Sequence, residues 1–384
     1  MPITATDRRW LCELTSLPTA AGREDRVIQW IEQWLARRRG VVCKRDRYGN
    51  LMLYRLGARS SRPLIIEAHM DHPAFVVSGR VSDTVVTADF RGGVEPRYFV
   101  GAKVTLHSDS PTAGRPLVGV VKSVQPQSRT RLDHRVVVEF ARKVEAEAGD
   151  LLTWRLPASR IVGDRLKAPV CDDLAGVAAA VAAFERLGRA VADRKLDVRL
   201  LLTRAEELGF VGAIGAAKGR FIPKGATIVV LETSRSFADS PIGGGPIVRV
   251  ADKENCFDPA TTYMLSEVAK GMMTRQRSVR GFRGFRWQRK LMPGGTCNAS
   301  TYQAYGCTAG CLCLALGNYH NMNETSGGID REVISVSDWH NLVRLLVEVA
   351  RVHCGGRTLI RVPSFTDQLD HIFKQRRHLL ANDL

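Results

Sequence analysis

The chain of 384 residues is 45% hydrophobic and 25% charged, with 34 glycines and 16 prolines. These values are ordinary for globular proteins, and they exclude a disordered, collagen-like or coiled-coil protein. The 56 lysines and arginines and the 39 acidic residues give a net charge of +17, which suggests attraction to polyanions or acidic substrates. The arginines are scattered along the whole chain, however, and an arginine-rich proteome explains the charge as well.

Nine cysteines are spread thinly along the sequence, and an odd number at wide spacing is not typical of a disulfide framework. The N-terminal stretch contains no apolar segment of signal-peptide length. Nowhere does an apolar run approach the ~18 residues of a membrane span. We therefore expect a reduced, cytoplasmic protein that does not bind membranes.

The first part of the chain mixes helical and extended patterns. Apolar residues at helical spacing predict a helix over residues 21–38, with Gly40 as its stop. Two short strands around a turn follow, and then a buried run that changes character at His69. These three segments are 41–43, 51–54 and 64–77.

The pattern differs from about residue 76 to residue 164. Short alternating runs are separated by clusters of Gly, Pro and Ser, with no helical stretch between them, which is typical of a small β-barrel or sandwich. The predicted strands are 85–90, 102–106, 117–124, 135–140 and 151–156.

Strands and helices alternate again in the last part of the chain. The predicted helices are 174–187, 262–275 and 337–353, and the predicted strands are 196–203, 227–231 and 307–316. The charged tail, residues 365–384, is predicted to be helical. An α/β domain interrupted by an all-β insertion accounts for these patterns, and we divide the chain at 1–75, 76–164 and 165–384.

Histidines and acidic residues stand at the ends of the predicted strands, where open α/β sheets form their sites. His69 and Asp71 are two apart in extended chain and share a face, so Asp71 can orient the His69 ring. A buried histidine without a catalytic role explains this pair equally well. Asp172 and Asp173 precede a helix, and one of them could simply cap it.

Three more acidic positions and one histidine complete the set. Glu206 and Glu207 follow a strand, either as a solvated loop or as a proton-transferring base beside a metal ligand. Glu232 ends the apolar run 227–231, where an unpaired carboxylate is costly. His320 lies just beyond the run 307–316.

The order and spacing of six motifs resemble the glutamyl and tetrahedral aminopeptidase family of di-zinc metallopeptidases. The motifs are Ala-His-Met-Asp (68–71), Cys-Asp-Asp-Leu-Ala-Gly (171–176), Thr-Arg-Ala-Glu-Glu-Leu-Gly-Phe-Val-Gly-Ala (203–213), Gly-Gly-Gly-Pro (243–246), Gly-Gly-Thr (294–296) and His320. The resemblance implies a di-zinc exopeptidase-like α/β core, a mixed sheet flanked by helices, with an inserted all-β barrel that serves oligomerisation.

The same resemblance implies a centre of two divalent metal ions, zinc or cobalt. Asp172 would bridge the ions, His69 and Glu232 would hold one, and Glu207 and His320 would hold the other. Such carboxylate and imidazole ligands suit these metals.

A general base and an orienting residue complete the implied site. Glu206 would be the base that deprotonates a water activated by both ions, and Asp71 would orient His69. In relatives, the peptide bond at the position of Asp172 and Asp173 is cis. The implied protein is a cytoplasmic metallo-aminopeptidase that removes N-terminal residues from peptides and self-associates as a dimer or a larger cage.

Three departures from the family pattern bear on the substrate. His72 and Pro73 follow the first motif where relatives usually carry other residues, and Cys297 replaces a common aspartate. Glu232 stands where this family usually has Asp, and Glu accompanies carboxypeptidases in a sister branch. A carboxypeptidase or N-acyl amino-acid amidohydrolase on the same di-metal core is therefore the alternative function.

Two further readings compete with a metal-dependent enzyme. The segment 280–290 interleaves arginines with aromatic residues, a pattern that suits single-stranded nucleic acid, but also a strand with one polar and one buried face. A non-catalytic descendant of the fold should have lost the base or a ligand, and none is missing.

His72 is interpreted as a rim residue, and Cys311 and Cys313 as buried strand cysteines.

Overall fold

The computed structural model of the chain describes residues 3–108, 117–126, 133–188, 193, 195–278, 284–355 and 365–380. The described helices are α1 (Ala5–Leu14), α2 (Asp25–Ala36), α3 (Leu174–Leu187), α4 (Val211–Lys218), α5 (Pro259–Ser278), α6 (Asn298–Ala304), α7 (Val336–Gly355) and α8 (Phe365–Arg376). Within these residues no helix is both long and apolar enough to cross a membrane.

The described strands fall into three groups along the chain. The first group is β1 (Val41–Arg45), β2 (Leu51–Arg55) and β3 (Leu64–His69). The second is β4 (Ala74–Arg80), β5 (Val85–Arg91), β6 (Lys103–His107), β7 (Leu117–Pro126), β8 (Asp133–Phe140) and β9 (Leu151–Trp154). The third is β10 (Arg160–Val162), β11 (Arg165–Ala168), β12 (Val198–Thr203), β13 (Thr227–Arg235), β14 (Ile247–Ala251), β15 (Gln288–Leu291), β16 (Thr308–Leu316), β17 (Met322–Asn323), β18 (Gly328–Ile329) and β19 (Glu332–Ser335).

The central sheet is mixed and has eight strands in the order β1-β2-β12-β3-β13-β16-β14-β15. Its four middle strands, β12, β3, β13 and β16, run parallel to one another. Both faces of these strands are buried, because their alternate side chains pack into two different apolar clusters. Buried parallel strands read as continuous apolar runs, which is why the sequence indicates them clearly.

Helices cover both faces of this sheet. The cluster on one face includes residues of α1, α2, α3, α5 and α7, and the cluster on the other includes residues of α4 and α6. Helix α3 is buried along nearly its whole length, and its small alanine side chains let it lie close to the strands. The predicted α/β core, a mixed sheet flanked by helices, is therefore confirmed.

The all-β part is a closed barrel of six strands, in the order β4-β5-β8-β7-β6-β9. Aromatic rings fill its interior, with the ring of Phe75 4.7 Å from those of both Phe90 and Trp154. The sequence predicts five of these strands as separate runs. The sixth strand, β4, follows β3 so closely that the sequence predicts both within the single segment 64–77. The barrel is confirmed, while the division at residues 75 and 164 stays a prediction.

Three helices were not predicted, namely α1, α4 and α6. Each is short, and α4 consists largely of small residues with a weak apolar pattern. The predicted helix 21–38 begins four residues later, at Asp25, and ends two residues earlier, at Ala36. The tail helix α8 is present within 365–380, and residues 381–384 lie outside the described part of the chain.

Candidate metal centre

The parallel strands bring the predicted site residues together at their carboxyl ends. His69 ends β3, and its register partner on β12 is Thr203, three residues before Glu206. On the other side of β3, Val230 of β13 pairs with Glu67. Both strands run in the same direction, and Glu232 and His69 each lie two residues beyond this pair. Glu232 therefore lies beside His69 at the end of the sheet.

Glu232 does not end its strand as predicted, because β13 continues to Arg235. The residues beyond it pair with β16 along their full length. The carboxylate Oε1 of Glu232 accepts a hydrogen bond from the backbone N–H of Thr233 at 3.0 Å. Burying an unpaired carboxylate is costly. A carboxylate buried inside a strand therefore indicates that the site uses its charge.

Asp172 lies between the two histidines. Its Oδ1 is 3.4 Å from Nε2 of His69, and its Oδ2 is 3.5 Å from Nε2 of His320. The same Nε2 of His320 is 3.3 Å from Oε1 of Glu207. The two oxygens of one carboxylate thus face two different imidazoles, as a bridging ligand requires.

These separations fit metal ligands better than hydrogen bonds. Oδ1 of Asp172 and Oε1 of Glu207 are fully buried and accept no hydrogen bond within the described residues. Ligand atoms that bind one tetrahedral zinc ion at ~2.0–2.1 Å lie about 3.3–3.4 Å apart. The observed separations of 3.3–3.5 Å match that edge length.

Three groups of side chains can each surround one metal ion. In each group one ligand atom per residue lies within 4.8 Å of the others. The groups are His69 with Asp172 and Glu232, Asp172 with Glu207 and His320, and His69 with Glu206 and Glu207. The first two share Asp172, and the third brings Glu206 beside both halves of the cluster.

Asp71 has partners besides His69, the predicted one. Its carboxylate accepts hydrogen bonds from the backbone N–H groups of Glu206 and Glu207, at 2.9 and 3.0 Å. Its Oδ1 lies 3.5 Å from Nδ1 of His69, which is too long for a firm hydrogen bond. Asp71 therefore orients the turn that carries Glu206 and Glu207.

The buried charges shift one another's pKa values. Burial raises the pKa of Glu206 well above its ordinary value, and the neighbouring carboxylates of Glu207 and Asp71 add to the rise. Burial alone would also raise the pKa of Asp172, but the neighbouring imidazoles of His320 and His69 hold it well below its usual range. Glu206 thus tends to hold a proton, while the nearby carboxylate of Asp172 tends to be ionised. Such a pair is typical of a site that transfers protons.

Asp173 does not cap α3 with its side chain, although it occupies the N-cap position. Its Oδ1 accepts a hydrogen bond from the hydroxyl of Thr233 at 2.8 Å. The peptide bond between Asp172 and Asp173 is cis, as the resemblance implied. Gly176, one turn further, is required because any Cβ there would lie 2.2–2.5 Å from the Asp173 carboxylate.

His72 is not a rim residue as interpreted from the sequence. It is 2% exposed, and its ring contacts the backbone carbonyl oxygen of Asp172 through Nδ1 at 2.5 Å. Its Nε2 lies 3.0 Å from Oδ1 of Asn321. His72 thus links the backbone of Asp172 to the side chain of Asn321, which is the neighbour of His320 in the chain.

Sequence reasoning also missed Glu332 and the backbone partner of His320. Glu332 is buried beneath the site, where burial raises its pKa to about 7 while the charge on His72 opposes the rise. Nδ1 of His320 lies 2.7 Å from the carbonyl oxygen of Gly93. Neither signal is visible in the sequence, because both depend on pairing between distant segments.

A pocket of about 330 Å³ opens beside these residues. Its walls include Glu206 and four of the candidate ligands, Asp172, Glu207, Glu232 and His320. The other walls include Arg235, Arg249, Phe237, Tyr319 and the loop Gly294–Gly295–Thr296. The guanidinium of Arg235 pairs with Glu324 at 3.0 Å. The loop Gly294–Gly295–Thr296 matches one of the sequence motifs.

Arg249 is a second cation of this pocket, and it forms no ion pair with the described residues. It is 3% exposed, and it donates through Nη2 to the carbonyl oxygen of Gly295 at 2.9 Å. Its Nε is buried without a hydrogen-bond partner, and no carboxylate of the described residues lies within ion-pair distance. The more distant carboxylate of Glu232 also attracts this buried charge.

The competing sequence features have structural roles. Cys311 and Cys313 are buried in β16, as predicted. Of the segment 280–290, residues 280–283 lie outside the described part of the chain. In the remainder, Phe285 is buried and Trp287 is partly buried against the same core, while Arg286 and Arg289 are exposed. These two aromatic rings pack inward and do not form a stacking surface.

A sequence model of the M42 glutamyl aminopeptidase family matches residues 49–334. No curated protein sequence matches the chain significantly. Among solved structures, an aminopeptidase from the archaeon Desulfurococcus kamchatkensis is 21% identical, with a TM-score of 0.71 over 93% of this chain and 99% of that one.

Two other solved structures have the same fold. The TET1 peptidase of Pyrococcus horikoshii, which can assemble into a tetrahedron or a large octahedral shell, is 18% identical, with a TM-score of 0.71 over 90% of this chain and 99% of that one. A TET aminopeptidase from a marine sediment archaeon of the Thaumarchaeota is also 18% identical, with a TM-score of 0.71 over 90% and 96% of the two chains.

Proposed function

The chain belongs to the M42 glutamyl aminopeptidase family, and from that premise we propose that it is a metal-dependent aminopeptidase that removes N-terminal residues from peptides. The observation that carries the proposal is the bridging position of Asp172 between His69 and His320, at separations typical of zinc ligands.

We assign two divalent ions, zinc or cobalt, to this cluster. Asp172 would hold both ions, His69 and Glu232 would hold the first, and Glu207 and His320 would hold the second. Support comes from the two groups of side chains that share Asp172. When bound, such ions lower the pKa of water and polarise the scissile carbonyl group.

Glu206 is the general base of the proposed reaction. It lies within the cluster but is not needed to complete either set of ligands. Its carboxylate takes a proton from the attacking water and returns it to the leaving amine. Burial and neighbouring carboxylates raise its pKa, which makes it a stronger base than an exposed glutamate. Asp71 holds its backbone N–H in place.

Arg249 directs the proposed specificity towards substrates with a carboxylate. Its guanidinium is buried in the pocket wall, and its hydrogen bonds go to neutral groups of Ser234, Met292 and Gly295 rather than to a carboxylate of the described residues. A carboxylate that reaches it from an N-terminal acidic residue removes the cost of the unpaired charge. We therefore propose a preference for peptides that begin with Glu or Asp.

The same arginine also favours a second candidate function. A guanidinium near the reacting centre can bind the terminal carboxylate of a substrate, as a carboxypeptidase or N-acyl amino-acid amidohydrolase requires. Glu232, in place of the aspartate usual in the family, points the same way. The family supports the aminopeptidase, so this remains the alternative.

The working form of the enzyme is proposed to be a homo-oligomer in the cytoplasm. The TET1 peptidase, which shares the fold, assembles into closed shells, and the barrel is the proposed oligomerisation domain. All nine cysteines are free thiols, which suits a reducing compartment.

One experiment tests the activity and its direction together. The zinc- or cobalt-loaded protein is incubated with short peptides in free and N-acetylated forms, with Glu206→Gln as the blank, and products are read by mass spectrometry. Stepwise loss of residues from free N-termini, fastest at acidic ones, is expected. Trimming from the C-terminus or release of acetate would instead establish the alternative.

A further inference from the structure

Glu332 is a buried carboxylate that the mechanism above does not use. It is the first residue of β19 and is 0% exposed. No Lys or Arg of the described residues forms an ion pair with it. Its partners are instead three backbone N–H groups.

All three of these N–H groups belong to the segments that carry candidate metal ligands. Oε2 of Glu332 accepts from the N–H of Cys171 at 2.6 Å and from the N–H of Asp172 at 3.0 Å. Oε1 accepts from the N–H of His320 at 2.9 Å. One carboxylate thus joins the backbone of the bridging ligand to the backbone of a ligand far away in the sequence.

A second side chain, that of His72, also links the segment of Asp172 to the segment of His320. His72 contacts the carbonyl oxygen of Asp172 and the side chain of Asn321. The amide of Asn321 donates to the carbonyl oxygen of Pro169 at 2.9 Å, which fixes its orientation. Asp172 is therefore held at both its N–H and its C=O, and His320 is held at its N–H.

Backbone restraint of this kind sets the spacing of the ligand atoms. Oδ2 of Asp172 and Nε2 of His320 lie 3.5 Å apart, and metal sites need their ligands held to within about 0.5 Å. His320 itself has a left-handed backbone, with φ of 52°, so the turn that carries it depends on outside contacts. Glu332 supplies the only side-chain acceptor found for its N–H within the described residues.

We propose that Glu332 is a positioning residue that fixes Asp172 and His320 at the spacing required for metal binding. The inference rests on the proposed function for the identity of the ligands, but not for the direction of peptide cleavage or the substrate.

The test replaces the carboxylate by an amide of the same shape. In Glu332→Gln, the new NH₂ group faces at least one backbone N–H, so either the His320 side or the Cys171 and Asp172 side loses its acceptor. Asp338→Asn is the matched control, because Asp338 is a buried carboxylate that accepts from two backbone N–H groups, those of Gly243 and Gly245. Neither glycine is a candidate ligand.

Zinc affinity is measured by calorimetric titration of the metal-free proteins, with thermal unfolding recorded in parallel. For Glu332→Gln we expect zinc to bind about 10–100-fold more weakly, and the Co²⁺ absorption spectrum of the cobalt form to change. Asp338→Asn should lose thermal stability but bind zinc as the wild type does. If Glu332→Gln does not fold, Glu332→Asp, which keeps the charge but shortens the reach, should show the same weakening to a smaller extent.

Each outcome decides the inference. Zinc affinity and cobalt spectrum unchanged in the Glu332 variants would overturn it, as would an equal loss of affinity in Asp338→Asn, because either result assigns Glu332 a purely structural role. A wild type that binds zinc tightly yet cleaves no peptide would refute the proposed function and leave the inference intact. A wild type that binds no zinc would overturn both.

Discussion

Nδ1 of His320 donates its hydrogen bond to the carbonyl oxygen of Gly93, 2.7 Å away, and so the barrel orients a candidate metal ligand of the α/β core. This contact leaves Nε2 facing Asp172 and Glu207. A second hydrogen bond of this kind selects the ring nitrogen that binds metal. The inserted barrel therefore contributes directly to the geometry of the site.

Gly92→Ala tests this contribution. Gly92 has φ of 133°, and a Cβ there would lie 2.7–2.9 Å from the ring and Cα of Pro73. The loop must shift, which moves the Gly93 carbonyl away from His320. We expect fewer zinc ions per protomer, by elemental analysis after dialysis. Gly101→Ala is the control, because Gly101 also has a positive φ, 84°, but no atom lies within 4 Å of its Cβ position. Equal zinc content in both variants would contradict the prediction.

Glu206→Gln should separate metal binding from turnover. The amide cannot accept the proton of the attacking water, so kcat should fall about 10²–10⁴-fold, which is the usual contribution of a general base. Zinc content should stay at the wild-type level. Glu207→Gln provides the contrast, because Glu207 is a proposed ligand and its loss should lower zinc content as well. Retention of wild-type kcat in Glu206→Gln would assign the base elsewhere.

Arg249→Met should change the substrate preference. A hydrogen bond to a charged group contributes about 1.5–3 kcal/mol, so kcat/KM for peptides that begin with Glu should fall about tenfold or more, with little change for peptides that begin with Ala. The ratio of the two values is the measurement. Arg249→Lys, which keeps the charge, should retain part of the preference. An equal loss for both peptides would show that Arg249 only supports the pocket wall.

Asp7→Asn should remove an acid-sensitive contribution to stability. Asp7 is buried and accepts from Arg186 at 2.7 Å and from Thr4. Burial raises its pKa, but these hydrogen bonds outweigh burial and hold the pKa below its ordinary value. Its contribution is therefore fully present above about pH 4 and is lost as the pH falls through the folded-state pKa.

Urea unfolding at neutral and at acidic pH measures this effect. At neutral pH we expect Asp7→Asn to lower the free energy of unfolding by about 2 kcal/mol, with a smaller difference below about pH 4. Glu32→Gln is the control, because the side chain of Glu32 is half-exposed where it pairs with Arg45, and such pairs contribute little. A constant difference across pH would contradict the assignment.

Removal of metal should destabilise the folded chain. Buried carboxylates crowd the site, and repulsion from its neighbours raises the pKa of Glu232 beyond the effect of burial. A ligand present at a hundredfold excess over its Kd stabilises the folded state by about 2.7 kcal/mol. Chelation should therefore lower the unfolding temperature, and added zinc or cobalt should restore it. A His69→Ala variant, which lacks one ligand, should respond less to the chelator.

Segments with strong local patterns could be predicted from the sequence. The helix 174–187 coincides with α3, because its alanine-rich run has clear boundaries at Asp173 and Gly188. The barrel strands were visible from alternation between turn residues. Helix α4 was missed because its small residues have almost no apolar periodicity.

The candidate site was predictable from the sequence only where its residues belong to recognisable motifs. His69 and Glu206 stand in motifs of adjacent residues, so the resemblance identifies them. Glu332, Gly93 and Arg249 act through contacts with residues far away in the sequence, and their neighbours in the chain give no signal. Arg249 stands in an ordinary strand pattern, and only its burial beside the pocket shows its importance.

The proposed ligands are spread from residue 69 to residue 320, on strands that pair in an order different from their order along the chain. During synthesis, the first half of the centre can form only after Glu232 has left the ribosome, and the second only after His320 has. A nascent or truncated chain that ends before β16 therefore lacks His320, so the proposed centre is complete only after that residue has been synthesised.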